Sequence, residues 1–361
     1  MTAPIMIMAG GTGGHVFPGL AVAEEIRSRS GSVVWMGTRK GLEARLVPDA
    51  GIEVEWISVS GLRGRGAFAW LAAPFRLALA LLQAFVAMRR RKPAAVLGLG
   101  GFVSGPGGIA AWLSGRPLLI HEQNAVAGTT NRILARFARR VFQAFPNSFP
   151  SGVRAELIGN PVRREILNLP ESSKLAEASA GAPLRVLILG GSQGAAVLNQ
   201  RVPAALAALP ERLRLEIWHQ AGRGLEDACD TYAKCGVEAR LDAFVDDMAN
   251  AYGWADLVIC RSGALTIAEL AAAGLGAILV PYPYAIDDHQ TRNADSFASR
   301  GAGVVIPEDE FTSERLAREL TRLLEDRSFL TQFCESARAQ ALPDATKDLA
   351  DICFELAEVR S

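Results

Sequence analysis

The chain predicts two similar α/β domains, each built on a doubly wound parallel sheet. Three observations carry that reading. Two glycine-rich loops, GGTGG at Gly10 to Gly14 and GGSQG at Gly190 to Gly194, start 180 residues apart in a chain of 361. Each follows a short apolar run (Pro4 to Ala9, Leu184 to Leu189) and precedes an apolar-periodic stretch (Phe17 to Ile26, Ala195 to Leu206). That order is strand, loop, helix, twice over. Further short strand candidates then alternate with helical stretches through both halves.

In the first half those strands are Val33 to Met36, Val54 to Val59, Ala95 to Leu99, Leu118 to His121 and Arg140 to Ala144. In the second they are Leu215 to His219, Glu238 to Phe244, Leu257 to Cys260 and Ala277 to Val280. The long interval between the loops means two structural copies rather than a short-period solenoid. A boundary is expected near Asn160 to Pro183, where Pro161, Pro170, Pro183 and the stretch Ser172 to Ala182 read as a connector. We divide the chain at 1–163 and 164–345. Thr346 to Glu358 reads as a terminal helix, and spacing leaves open whether it crosses back to the first domain.

Composition narrows the function classes. Half of the residues are hydrophobic and 21% are charged, a globular rather than a disordered balance. Formal net charge is zero, so no global field draws the chain to nucleic acid, and any anion or membrane preference must be local. The five cysteines include no C-x-x-C pair, which suits a reduced cytosolic compartment. The first residues read as a strand, not a signal peptide. The longest apolar run, Leu77 to Met88, falls short of the about twenty residues a membrane span needs. Phe68 to Met88, followed by Arg89-Arg90-Arg91-Lys92, fits either an interfacial helix or a buried helix with a solvated basic end. Phe75, Leu79, Leu82 and Trp112 are the candidate exposed patch.

The glycine loops carry the chemistry. A tight strand-to-helix turn lets the backbone approach a ligand, and the following helix aims free N–H groups and its positive end at an anion. Thr12 and Ser192 hold matching places in the two loops. Neither loop has the dinucleotide pattern G-x-G-x-x-G, and Met36 is followed by Gly37-Thr38-Arg39 with no acid for a nicotinamide ribose. A P-loop is absent too, so dehydrogenase and P-loop NTPase readings are disfavoured. Two more clusters, GLRGRG (Gly61 to Gly66) and GLGGFVSGPGG (Gly98 to Gly108), give the first domain three anion-friendly loops. Together the loops suggest two phosphorylated ligands.

At this point the motifs become specific. GGTGGHVFPGLAVA (Gly10 to Ala23), SGLRGRG (Ser60 to Gly66), GGFVSGPGG (Gly100 to Gly108), HEQNAVAG (His121 to Gly128), GNPVR (Gly159 to Arg163), GGSQGA (Gly190 to Ala195), FVDDM (Phe244 to Met248) and CRSGALTIAEL (Cys260 to Leu270) resemble the bacterial MurG family. The resemblance runs in order from residue 5 to about residue 350. It implies a GT-B fold, two Rossmann-like domains with a cleft. It implies inverting transfer of GlcNAc from UDP-GlcNAc to the C4 hydroxyl of the muramoyl sugar of lipid I, giving lipid II and UDP. It further implies a peripheral place on the cytoplasmic face of the inner membrane, an anionic membrane surface as partner, and encounters with cell-wall synthesis or division proteins. Glu269 would hold the uridine ribose, and the backbone at Val245 would meet the uracil. Ser192, Arg163 and the turn Ala264, Leu265 and Thr266 would surround the donor diphosphate. Gln290, Asn124, Thr12, Gly13 and Gly14 would reach the GlcNAc. Gly14, Arg63, Gly64, Gly101, Ser104 and Gly105 would form the loops for the acceptor diphosphate. The chain departs from the family at His289-Gln290, where two glutamines are common, and at Val245, where isoleucine is common.

Inverting transfer needs a base at the acceptor hydroxyl and stabilisation of the departing diphosphate. His15 and Glu122 are the two candidate bases; an imidazole titrates near pH ~6.5. His15 could instead bind the sugar or cap the helix, and Glu122 could be a structural carboxylate. Glu269 also completes a capping-box pattern from Thr266. No Asp-x-Asp pair of the metal-binding glycosyltransferase kind occurs, so no metal is expected in the chemical step and no cofactor beyond the substrate. Two rivals remain at this point, a UDP-GlcNAc 2-epimerase-like GT-B enzyme and a non-catalytic nucleotide-sugar-binding protein.

Overall fold

Ile5 and Ile7 of the first strand join one hydrophobic cluster, Met6 and Met8 join another, and all four are buried. A strand covered on both faces belongs inside a parallel α/β sheet. The computed structural model describes residues 3–59, 67–170, 183–191, 194–210 and 213–358. Arg63, Gly64, Ser192 and the connector 172–182 lie outside the described residues. The chain divides into two compact units, Met1–Arg163 with Leu342–Ser361, and Arg164–Ala341.

The first unit runs β1 (Ile5–Met8), α1 (Gly13–Ser28), β2 (Val33–Gly37), α2 (Glu43–Asp49), β3 (Glu53–Trp56), α3 (Ala67–Arg91), β4 (Ala95–Gly98), α4 (Gly101–Leu113), β5 (Leu118–Glu122), α5 (Thr129–Leu134), β6 (Arg140–Gln143) and β7 (Ala155–Leu157). Its sheet order is β3-β2-β1-β4-β5-β6-β7, with every pair parallel. Chain order reverses at β1 and β4, so the loops after those two strands flank the switch point where such sheets bind ligands. Val16, Val22 and Ile26 of α1 cover one face, and Ala84, Met88, Val103 and Ala110 of α3 and α4 cover the other.

The second unit runs α6 (Arg164–Leu167), β8 (Leu184–Leu189), α7 (Ala196–Ala207), β9 (Leu215–Gln220), α8 (Leu225–Cys235), β10 (Arg240–Asp242), α9 (Met248–Trp254), β11 (Leu257–Cys260), α10 (Ala264–Ala273), β12 (Ala277–Leu279), α11 (His289–Ala298), β13 (Gly303–Val305), α12 (Ser313–Glu325) and α13 (Ser328–Arg338). Its order, β10-β9-β8-β11-β12-β13, is again all parallel, with the switch point at β8 and β11. Leu184, Val186 and Ile188 pack with Leu198 and Val202 of α7 and Leu316 and Leu320 of α12.

The terminal helix α14 (Ala345–Glu358) returns to the first unit. Leu349, Ala350, Ile352 and Cys353 enter the same cluster as Val22 and Ile26 of α1. Spacing left that destination open, because an amphipathic helix states what it buries but not against which sheet. Two strands lie beyond the sequence reading, β7 and β13. Each has three residues at a sheet edge, and neither is fully buried.

Candidate active site

In the first unit the GGTGG loop leaves β1 and becomes the start of α1. Thr12 is the exposed N-cap, extended at φ −100°, and Gly13 and Gly14 are the first two helical residues. Their N–H groups belong to the first turn, which has no acceptor within its own helix. The loop is tied from beneath by Glu43, a fully buried carboxylate that the sequence reading passed over. Gly11 N–H donates to Glu43 Oε2 at 2.9 Å; Thr38 donates to Glu43 Oε1 through its N–H at 3.0 Å and its hydroxyl at 2.7 Å. A local carboxylate therefore already takes one of the loop's donors.

Gly101 locks this loop to the one after β4. It holds φ +77°, and a Cβ there would fall 2.3 Å from the Gly10 carbonyl oxygen. Ser104, expected in the loops for an acceptor diphosphate, is engaged with backbone. It is fully buried and its hydroxyl donates to the Gly100 and Met8 carbonyls at 2.8 and 3.2 Å, while accepting from Gly100 N–H at 3.1 Å. Its work is to pin the glycine turn to β1. Gly105 sits one turn along α4 and is partly exposed.

The two candidate bases have different surroundings. Glu122 ends β5 and is 3% exposed. Its Oε1 accepts from Asn124 N–H at 3.0 Å and Asn124 Nδ2 at 3.2 Å, and its Oε2 from Gly128 N–H at 3.1 Å and Asn131 Nδ2 at 2.8 Å. Both oxygens are thus engaged in shaping the HEQN loop and the start of α5. These four bonds give Glu122 the surroundings of a structural carboxylate, the alternative to its role as a base. His15 is half-buried, with Nδ1 3.0 Å from Gln123 Oε1. Asn124, also half-buried, is held through its carbonyl by the Ser148 hydroxyl at 2.9 Å. Arg163 lies in this unit too, its guanidinium 5.9 Å from the Phe17 ring centre.

In the second unit the GGSQG loop again joins the sheet to a helix. Gly190 N–H donates to the Gln220 carbonyl at 3.1 Å. Gly194 repeats the device of Gly101, with φ +78° and a Cβ position 2.5 Å from the Ala221 carbonyl oxygen. After β11, Gly263 is the N-cap of α10, which puts Ala264, Leu265 and Thr266 in its first turn. Thr266 therefore does not cap the helix, and the capping-box reading of Glu269 is set aside. Glu269 stands a turn further on, half-buried, accepting from the Tyr252 hydroxyl of α9 at 3.0 Å. Val245 is buried in the segment leading to α9, whose N-cap is Asp247, bonded to Asn250 N–H at 2.9 Å.

Gln290 is joined to this loop through α11. The Ser262 hydroxyl donates to its backbone carbonyl at 2.8 Å, and its side-chain oxygen accepts from Tyr282 N–H at 2.9 Å. His289 opens α11 beside it, half-buried. His219 is buried, bonded to the Tyr232 hydroxyl at 3.0 Å, and burial lowers its pKa to about 4, so it is a structural imidazole.

Helix α3 turns Phe75, Leu77, Leu79, Leu82 and Val86 outward, with Phe75 80% exposed, and Trp112 and Leu113 at the end of α4 are exposed too. The basic cluster in the last turn of α3 is less cationic than it reads. Arg90 and Arg91 pair with Glu55, and Arg91 also with Glu53. Among the described residues no helix is long and apolar enough to cross a membrane.

Two parallel doubly wound units, each with a glycine loop at its switch point, have the architecture of the GT-B fold. The chain matches the N-terminal domain of glycosyltransferase family 28 over residues 5–143 and the C-terminal domain over 185–349. It is 56% identical to the UDP-N-acetylglucosamine--N-acetylmuramyl-(pentapeptide) pyrophosphoryl-undecaprenol N-acetylglucosamine transferase of Nitrosococcus oceani, covering 99% of both chains. The protein of that name from Alkalilimnicola ehrlichii is 55% identical over 98% of this chain and 99% of its own. Among solved structures, Acinetobacter baumannii MurG superposes with TM-score 0.85 at 43% identity, over 97% of this chain and 99% of that one. The chain belongs to the MurG family of UDP-GlcNAc-dependent N-acetylglucosaminyltransferases. A UDP-GlcNAc 2-epimerase from Neisseria meningitidis shares the fold at TM-score 0.67 but only 11% identity, a likeness of architecture alone.

Proposed function

We propose that the protein transfers GlcNAc from UDP-GlcNAc to the C4 hydroxyl of the muramoyl sugar of lipid I, giving lipid II and UDP with inversion. The observation that carries this reading is the extent of the likeness: relatives named for that transfer align with this chain end to end, through both units. The test is incubation with labelled UDP-GlcNAc and a lipid I analogue. Label passing to the acceptor with equimolar UDP release is expected; hydrolysis or epimerisation without transfer overturns the reading.

The second unit takes the donor. Glu269 accepts from the ribose hydroxyls, the backbone at Val245 meets the uracil, and the first turn of α10 (Ala264, Leu265, Thr266) with Ser192 of the glycine loop takes the diphosphate. Arg163 adds a cation there, and Gln290 serves the sugar. In the first unit Thr12, Gly13, Gly14 and Asn124 serve the transferred sugar, and His15 is the base. Gly14, Arg63, Gly64, Gly101 and Gly105 form the acceptor-diphosphate loops. Charge on the leaving UDP is met by helix N-termini and Arg163, so the chemical step needs no metal. Turnover that collapses with a chelator and returns with a divalent cation contradicts that.

Glu269→Ala removes a charged hydrogen-bond acceptor, worth roughly 1.5–3 kcal/mol. UDP-GlcNAc affinity measured by calorimetry should fall about ten- to a hundredfold. Tyr252→Phe keeps the carboxylate and should lose less. Unchanged affinity in Glu269→Ala removes the residue from the donor site.

The outward face of α3 rests on the cytoplasmic leaflet of the inner membrane, bringing the first unit to its lipid-linked acceptor. Apolar burial outweighs charge here, because Arg90 and Arg91 are already paired. Replacing both Phe75 and Leu82 by Asp should weaken sedimentation with anionic vesicles by roughly tenfold or more. Arg89→Ala should cost only several-fold, about 1 kcal/mol per surface cation. Full vesicle binding by the double variant refutes this face.

A further inference from the structure

His15 is linked to the backbone of the first unit by a chain of three hydrogen bonds. His121 Nε2 lies 2.8 Å from the Gly159 carbonyl oxygen, His121 Nδ1 lies 3.0 Å from Gln123 Nε2, and Gln123 Oε1 lies 3.0 Å from His15 Nδ1. We propose that His121 and Gln123 are positioning residues that hold neutral His15 as its Nδ1–H tautomer, so that Nε2 is the nitrogen that accepts the proton of the acceptor hydroxyl. This deepens the assignment of His15 as base and rests on it.

The direction of the chain follows from its anchor. A carbonyl oxygen only accepts, so His121 Nε2 must carry a proton. His121 is fully buried, and desolvation lowers its pKa to about 4, so at neutral pH it has that proton alone. Its Nδ1 is then a lone pair, and the Gln123 group facing it must be the NH2. The same NH2 is 3.3 Å from a second acceptor, the His121 carbonyl. Gln123 consequently turns its carbonyl to His15, and His15 Nδ1 must donate. The opposite amide orientation would set a carbonyl against His121 Nδ1 and demand an imidazolium in a dry site.

The chain is also held still. Gln123 is 1% exposed, and its backbone carbonyl accepts from Asn160 Nδ2 at 3.0 Å. A Cβ on Gly100 would fall 2.9 Å from His15 Cε1, so the bare glycine lets the ring sit against the turn. A neutral amide orients the imidazole without adding a charge beside it. In the reaction the hydroxyl proton moves to Nε2 as its oxygen bonds to the anomeric carbon. The bond from that carbon to the diphosphate breaks, and its electron pair leaves with UDP. The imidazolium keeps Nδ1–H on Gln123 and later returns the Nε2 proton to water.

The chain has four histidines, so 15N-histidine spectra of the whole protein can be assigned with single variants. At a pH where the ring is neutral, long-range 1H–15N correlations should show His15 protonated on Nδ1 and His121 on Nε2. A proton on His15 Nε2 overturns the proposal without any variant. Gln123→Met, near-isosteric but only a weak acceptor and no donor, should release the tautomer and lower kcat roughly ten- to a hundredfold, part of what a positioned base supplies. Its KM for UDP-GlcNAc should stay within about twofold. Unchanged kcat in a folded Gln123→Met overturns the positioning role. Full turnover in His15→Gln with the wild-type tautomer pattern intact at His121 refutes the base assignment instead, so the two failures are distinct.

Discussion

Replacing His15 by glutamine should lower kcat by roughly 10²–10⁴, the range a positioned general base supplies. UDP-GlcNAc binding should survive, because Glu269, Val245 and the first turn of α10, proposed for the nucleotide, lie in the other unit and His15 is not among the residues proposed to hold it. Fold stability should survive too, since His15 is half-buried and its one described side-chain bond, to Gln123, is a pairing glutamine can also make. Glu122→Gln is the informative contrast. Its carboxylate accepts four donors, and an amide presents one acceptor oxygen and a donor of its own. One amide donor would then face the Gly128 and Asn131 donors or the Asn124 pair, leaving buried groups unmatched at about 1–3 kcal/mol. Glu122→Gln should therefore lower the melting temperature and lose activity with it. Thermal unfolding and single-turnover rates, measured together, separate the two. A stable Glu122→Gln with a rate loss as large as that of His15→Gln would reverse the assignment of the base.

That distinction was not available from residue types alone, and the reason is geometric. The strands before the ligand-type loops were legible because each is a short continuous apolar run closed by turn residues. Leu184–Leu189 and Leu257–Cys260 have the bounds the pattern suggests. The edge strands Ala155–Leu157 and Gly303–Val305 were not, because three residues at an edge show neither a continuous apolar run nor alternation. Thr266 and Glu269 have capping-box spacing, yet the helix starts earlier, at Gly263, and spacing is blind to where a helix begins. Glu43 and Gln123 read as ordinary polar residues. Their importance comes from partners 32 and 108 positions away, Gly11 and His15, and such pairings appear only when the sheet is assembled. Motifs pointed to the segments proposed to meet the ligands, while burial decided which atoms within them are still able to act. Ser104 shows the cost of treating a motif as a unit: it lies inside a phosphate-type loop and spends its hydroxyl on the backbone of that loop.

The same loop gives the second large effect. Gly101→Ala should destabilise the first unit by roughly 3 kcal/mol, combining about 1–2 kcal/mol for a left-handed residue with about 1–3 kcal/mol for overpacking. Both terms have a visible source. Gly101 holds φ +77°, and its Cβ would sit 2.3 Å from the Gly10 carbonyl oxygen, a backbone atom that cannot rotate aside. Relief requires the β4–α4 turn and the β1–α1 turn to separate. Stability and activity are thus coupled at this contact, because Gly10 to Gly14 carry the N–H groups proposed for the substrates. Four residues along the same helix, Gly105→Ala is the control for the argument. Its Cβ would lie 3.7 Å from Thr130 Cγ2, an ordinary contact, and its φ is not positive. Gly105 precedes Pro106, whose Cδ crowds a Cβ on a helical neighbour, so the usual helix gain of alanine over glycine is offset and the change should be near neutral, within about 1 kcal/mol. At about 2–4 °C per kcal/mol for a domain of this size, the first variant should melt roughly 6–12 °C lower and the second within a few degrees of the wild type. If both glycines tolerate alanine equally, the packing of the two glycine turns against each other is not what fixes this half of the site.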